Sequence, residues 1–226
     1  MRVNKIVLLI VALNISLYAE LFTEYFKNNV IKSEIEYKKG TRSDVTEGIK
    51  DGLEKVYYNT GQLAFKVNNI EGKRDGAMDW YDRKHHHLEV IFYQKGKRHG
   101  QNKVFYANGK LRIEVNYIND FKVGDEKFYF NSGKLASIVT YKKGKKEGLQ
   151  KEYNENGSLN NEVIYKNGYK EGEKRWYDAK GEIVQTELYK MGRPINLMKK
   201  VQAKKVDKTI KALQGLDFNP NNRKVK

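Results

Sequence analysis

The chain has no cysteine and only two prolines in 226 residues. Disulfide frameworks, thiol nucleophiles, cysteine-ligated metals and a lipid-modified N-terminal cysteine are therefore all excluded. Such a chain must hold itself together by backbone pairing and apolar burial alone. Acidic charge is also short, with 28 Asp+Glu against 44 Lys+Arg and a formal net charge of +16. The excess is uneven: +2 over residues 1–19, −1 over 20–47, +8 over 48–193 and +7 over 194–226. A basic balance favours acidic partners but does not specify a fold. No apolar run reaches the roughly 20 residues a membrane-spanning helix needs. The best candidate is residues 6–13, preceded by Arg2 and Lys5 and followed by a small residue, Ala19. That is the pattern of a secretory signal peptide, with cleavage expected near Glu20 and the mature chain secreted or periplasmic.

What the sequence does have is a period. Gly52, Gly76, Gly100, Gly124, Gly148 and Gly172 recur every 24 residues, the mark of a repeat protein. Five residues after each glycine stands a ring: Tyr57, Tyr81, Phe105, Tyr129, Tyr153 and Tyr177. Seventeen residues after it stand Tyr93, Tyr117, Tyr141, Tyr165 and Tyr189, with Asn69 the one exception. Each unit holds two short runs rich in aromatic and branched residues, closed by glycine-containing polar turns such as Asn131-Ser132-Gly133 and Lys143-Gly144. This predicts strand, turn, strand, turn, and about twelve antiparallel strands over residues 48–193. Residues 20–47 are a cap or partial repeat. Leucine, valine and tyrosine at odd positions of the second strand, as in Leu135, Val139 and Tyr141, should form an apolar stripe on one face.

Tyr141, Gly144-Lys145, Gly148, Tyr153, Asn156-Gly157 and Leu159 closely resemble the bacterial variant of the MORN repeat, found in proteins often labelled YwqK-type antitoxins. The resemblance covers residues 48–193. It implies an elongated antiparallel sheet used for contacts with proteins or membranes, and the antitoxin label implies a toxin partner in the cytoplasm. It does not imply a kinase, since the chain has no phosphate-binding loop, no catalytic-aspartate motif and no room for a kinase domain.

Several residue patterns bear on function. Arg74, Arg98, Lys122, Lys146 and Lys170 place one base in every inter-repeat turn, where they could line an edge for an anionic polymer or simply be solvated. Asp75, Glu147 and Glu171 interrupt that row. Lys84-His85-His86-His87 replaces the usual Asn-Gly turn; His85 and His87 would share a strand face and could hold a divalent metal with His99, but a solvated loop is the favoured reading because a structural zinc needs four ligands and no cysteine is available. After Pro194 the period stops, and residues 196–214 read as a short C-terminal helix with Lys200, Lys204, Lys208 and Lys211 on one side. That helix would cap the last strand or seek an anionic surface. No nucleophile elbow surrounds Ser132, and no carboxylate pair stands out. The expectation is an all-β, non-catalytic extracytoplasmic scaffold without cofactor or metal, binding a protein or an anionic envelope surface. Nucleic acid is not expected for a secreted chain, and a toxin-neutralising protein is the alternative.

Overall fold

A computed structural model describes residues 19–41 and 48–195. They form one 16-stranded antiparallel sheet in which sequence neighbours pair, a pure meander. Its strands are β1 (Ala19–Tyr25), β2 (Ile31–Lys38), β3 (Lys50–Tyr57), β4 (Leu63–Ile70), β5 (Lys73–Tyr81) and β6 (His87–Gln94). Next come β7 (Lys97–Arg98), β8 (Gly100–Phe105), β9 (Leu111–Ile118), β10 (Phe121–Tyr129) and β11 (Leu135–Lys142). The last are β12 (Lys145–Tyr153), β13 (Leu159–Lys166), β14 (Tyr169–Tyr177), β15 (Ile183–Lys190) and β16 (Arg193–Ile195). The strand count exceeds the expected twelve partly because residues 20–47 supply the hairpin β1–β2. The C-terminal helix of the sequence reading, with Lys200, Lys204, Lys208 and Lys211, lies outside the described residues, as does the apolar run of residues 6–13.

Two turn types alternate. The tight turns are two-residue loops with both residues at positive φ, the type I′ geometry whose twist suits paired strands. Glu71-Gly72, Lys95-Gly96, Lys143-Gly144, Asn167-Gly168 and Met191-Gly192 all take it. Asn119-Asp120 does so without glycine, because the short polar side chains of Asn and Asp tolerate the left-handed region. The second residue of each turn donates its N–H to a carbonyl one repeat earlier: Gly144 to Lys122, Gly168 to Lys146 and Gly192 to Lys170, each at 2.9 Å. That bond ties every hairpin to its predecessor, as nearest-neighbour stacking in a repeat array requires.

The 24-residue glycines do not sit in turns. Gly52, Gly76, Gly124, Gly148 and Gly172 lie inside strands, while Gly100 begins β8. Each faces the residue seventeen positions on: Gly124 pairs with Tyr141, Gly148 with Tyr165 and Gly172 with Tyr189. On the other side the pairing register shifts around the glycine, as between Val139 and Tyr141 opposite β12. A bulge at positive φ is where a glycine in a strand is useful. The glycine and tyrosine ladders of the sequence are thus two sides of one rung.

Among the described residues no second layer covers the sheet, so side chains on one face must bury each other. They do so along the predicted stripe, where Val67, Val115, Val139 and Val163 are 1–6% exposed, and at Met78, which pairs with Val67 from β5 and is 0% exposed. Tyr37 and Tyr117 are buried with them. Burial of this kind stabilises by roughly 25 cal/mol per Å² of apolar surface, and each valine draws on its own repeat and the next, as Val139 lies between Glu126 and Gln150.

Candidate functional site

The row of bases from the sequence is present, but not where the sequence reading placed it. Arg74, Arg98, Lys122, Lys146 and Lys170 are not at solvated turns. They lie within β5, β7, β10, β12 and β14, half-buried on the same face as the valine stripe. Each cation rests over the tyrosine of its own rung. Arg74 is 5.5 Å from the Tyr93 ring centre, Arg98 4.3 Å from Tyr117 and Lys122 4.9 Å from Tyr141. Lys146 is 4.8 Å from Tyr165, and Lys170 is 4.6 Å from Tyr189. Such contacts hold a cation in place and contribute about 0.5–2 kcal/mol depending on desolvation. Three of these tyrosine hydroxyls are raised by burial or by carboxylates beside them. Burial pushes Tyr141 and Tyr165 up, helped by the nearby Glu126 and Glu152 carboxylates, while a hydrogen bond to Glu187 raises Tyr189.

The cations differ in how they are neutralised. Lys122 forms an ion pair with Glu126, which is 5% exposed, and Arg98 pairs with Asp120 at 3.2 Å. Lys50, at the equivalent position one repeat before Arg74, pairs with Glu54 at 2.5 Å. Lys146 instead donates to the Gln150 amide oxygen at 2.9 Å. Arg74, Lys146 and Lys170 have no ion-paired carboxylate among the described residues. Burial lowers Lys146 from its ordinary value, the charges of Lys122 and Lys170 lower it further, and Glu126 and Glu152 oppose the shift. Neighbouring rungs therefore feel each other.

The acids that interrupt the row in sequence do not interrupt it in space. Asp75 accepts the N–H of Lys95 at 3.0 Å, Glu147 that of Asn167 at 2.8 Å and Glu171 that of Met191 at 2.9 Å. Each caps the left-handed residue of the next tight turn, satisfying a backbone donor.

On the opposite face, a glutamate from one repeat is gripped by a base and a tyrosine from the next. Glu114 accepts from Lys127 at 3.2 Å and Tyr129 at 2.7 Å, and Glu34 accepts from Lys55 at 3.3 Å and Tyr57 at 2.6 Å. Glu162 accepts from Tyr177 at 2.7 Å. The Tyr129 bond holds Glu114 below the usual carboxylate range, and burial together with that bond pushes Tyr129 up to about 12.

The histidine turn also has local partners. His85 adopts φ 65, the place glycine holds elsewhere, and Asp82 accepts the N–H groups of Lys84 and His86 at 2.8 and 2.9 Å. The His85 and His87 rings stack on Tyr81 at 4.9 and 5.0 Å, and His87 stacks on Phe105 at 5.2 Å. His87 Nε2 also meets Asp79 at 3.0 Å. Sequence reasoning missed this column, although its signal was present: an aromatic at the fifth position and a histidine two residues beyond the glycine site.

Comparison with known proteins follows the same architecture. The family described as MORN repeat variant matches residues 21–39, 50–68, 98–119, 122–143, 146–167 and 170–191. The stretch passed over, between 68 and 98, contains β5, the histidine turn and β6. No curated protein matches the chain. A solved structure of an S. aureus TarM mutant in complex with Fondaparinux, alpha-GlcNAc-glycerol and UDP is similar over 42% of this chain and 19% of its own, with 16% identity and a TM-score of 0.30.

Proposed function

The chain belongs to the MORN repeat variant family, and from that premise we propose that it is a non-catalytic scaffold acting outside the cytoplasm, holding a macromolecular partner along the tyrosine face of its sheet. The observation that carries this reading is the cation-on-tyrosine row. Five bases sit on rings on one side of a continuous sheet, and three of them have no carboxylate ion pair among the described residues. Cations held in place and left electrically open favour an anionic surface on a protein or at the envelope. The non-catalytic part rests on the state of the polar groups. Tyrosine hydroxyls raised by burial are poor nucleophiles at neutral pH, and the carboxylates beside them, Glu126 and Glu152, are engaged with Lys122, Gln150 and Asn161 side chains. The extracytoplasmic part rests on Arg2, Lys5, the apolar run and Ala19.

The test is affinity capture from native envelope material with the mature chain and with the variant Arg74→Gln/Lys146→Gln/Lys170→Gln, alongside mass spectrometry of the native N-terminus. The proposal expects a chain beginning near Glu20 and a partner recovered by the parent but lost with the variant. Equal recovery by both proteins would remove the tyrosine face from the account. An intact Met1 in the cytoplasm would remove the location.

A further inference from the structure

Four residues after each ladder base stands a side chain that shares its face. The series runs Glu54, Met78, Asn102, Glu126, Gln150 and Lys174 along the sheet. At the Lys122 rung the carboxylate of Glu126 is built in. At the next it becomes the amide of Gln150, whose own N–H group turns to Glu152 at 2.8 Å. At the last it becomes a second ammonium, Lys174, lying over Trp176 at 4.5 Å. Glu187, opposite Lys174 in register, takes the Tyr189 hydroxyl at 2.7 Å. The C-terminal end of the face thus gathers Lys146, Lys170 and Lys174 with no ion-paired carboxylate among the described residues, while the Lys122 rung displays the group that completes such a site.

We propose that these two rungs take the carboxylates of an acidic polypeptide segment, one at each rung, in the relation Glu126 has to Lys122. This rests on the scaffold reading above and names the chemistry of its partner. Rung spacing sets the form of the segment. Lys146 and Lys170 stand on alternate strands, roughly 9.6 Å apart along the sheet. A polyproline II segment rises about 3.1 Å per residue, so every third side chain returns to one side after about 9.3 Å. In an extended β-segment every second side chain returns after only about 6.7 Å, which does not match. The segment that fits carries Glu or Asp at every third position in polyproline II conformation.

The probe is a labelled peptide, acetyl-(Glu-Pro-Pro)4-amide, titrated with the full chain at low salt and followed by fluorescence anisotropy. Lys146→Gln and Lys170→Gln should each weaken binding about fivefold, equivalent to about 1 kcal/mol. Gln150→Glu should do the same by giving Lys146 its own carboxylate; if that variant does not fold, Lys146→Gln carries the comparison. Lys145→Gln removes the same unit of charge from an exposed site and should stay within about twofold of the parent. The proposal is overturned if Lys145→Gln weakens binding as much as Lys146→Gln, or if the parent does not bind the peptide. It is also overturned if the rung variants affect only binding to phosphatidylserine vesicles, which would assign the rungs to lipid headgroups. In each of these cases the native capture can still depend on the open bases, so the acidic-peptide assignment falls without the scaffold reading.

Discussion

Alanine at Gly52 and at Gly124 should destabilise the sheet by different amounts for different reasons. At Gly124 the φ of 68° is left-handed, but a Cβ there would meet nothing within 4 Å. Only backbone strain opposes the substitution, about 1–2 kcal/mol. At Gly52 the φ is 121°, and the Cβ would fall 1.9 Å from Glu36 Oε2 and 2.9 Å from Glu36 Cβ. The terminal oxygen can swing away, but the glutamate Cβ cannot. Moving Glu36 also takes the acceptor from the Leu53 N–H, which it now holds at 2.9 Å. Strain of about 1–3 kcal/mol and a lost hydrogen bond of about 0.5–1.5 kcal/mol put Gly52→Ala at roughly 2–4 kcal/mol. Urea unfolding followed by far-UV circular dichroism, compared at constant m-value, measures both. Gly124→Asn should recover much of the Gly124→Ala loss, because asparagine tolerates the left-handed region. Equal costs at the two sites, or a neutral Gly124→Ala, would refute the reasoning.

Val139→Ala should cost about 2 kcal/mol in the same assay, since the side chain is 2% exposed and loses about two methylene equivalents; a loss under about 0.5 kcal/mol would mean the stripe is not the core. Lys122→Met should destabilise by about 1–3 kcal/mol more than Lys146→Met, because it strands the buried Glu126 carboxylate whereas Lys146 leaves only an amide behind. The Glu114–Tyr129 contact should widen the pH range of stability. Glu114, depressed when folded, contributes above its unfolded value of about 4.3 and loses that as pH falls through its lower folded value. Tyr129, raised to about 12, contributes below its unfolded value of about 10 and loses that as pH rises toward 12. Tyr129→Phe should weaken both limbs of a thermal-melting pH profile, and an unchanged profile would contradict the assignment.

Much of the fold was legible because repetition averages out local noise. Six equally spaced glycines and their tyrosines fix the strand period, and the valine stripe follows from alternation. Three features were not legible, each for a physical reason. Lys73-Arg74 and its counterparts look like wet turn residues, yet a type I′ turn needs only two residues, so the strand resumes at once and the bases lay their stems on tyrosine rings. The hairpin β1–β2 was obscured because Asn29 precedes Gly61 by 32 residues, eight more than the repeat, so residues 20–47 read only as a cap or partial repeat. At His85, stacking on Tyr81 and an Asp82 cap stand in for glycine, which composition alone does not convey.

The most direct test of the tyrosine-face account is the salt dependence of binding to the captured native partner, measured for the parent and for Arg74→Gln/Lys146→Gln/Lys170→Gln. Screening shortens the reach of surface charge from about 30 Å at 0.01 M to about 8 Å at 0.15 M ionic strength, so an interaction carried by these bases must weaken between the two. The account predicts a steep loss for the parent and, for the variant, weaker binding with a flatter slope. Parent and variant curves that coincide at both salt concentrations would contradict it.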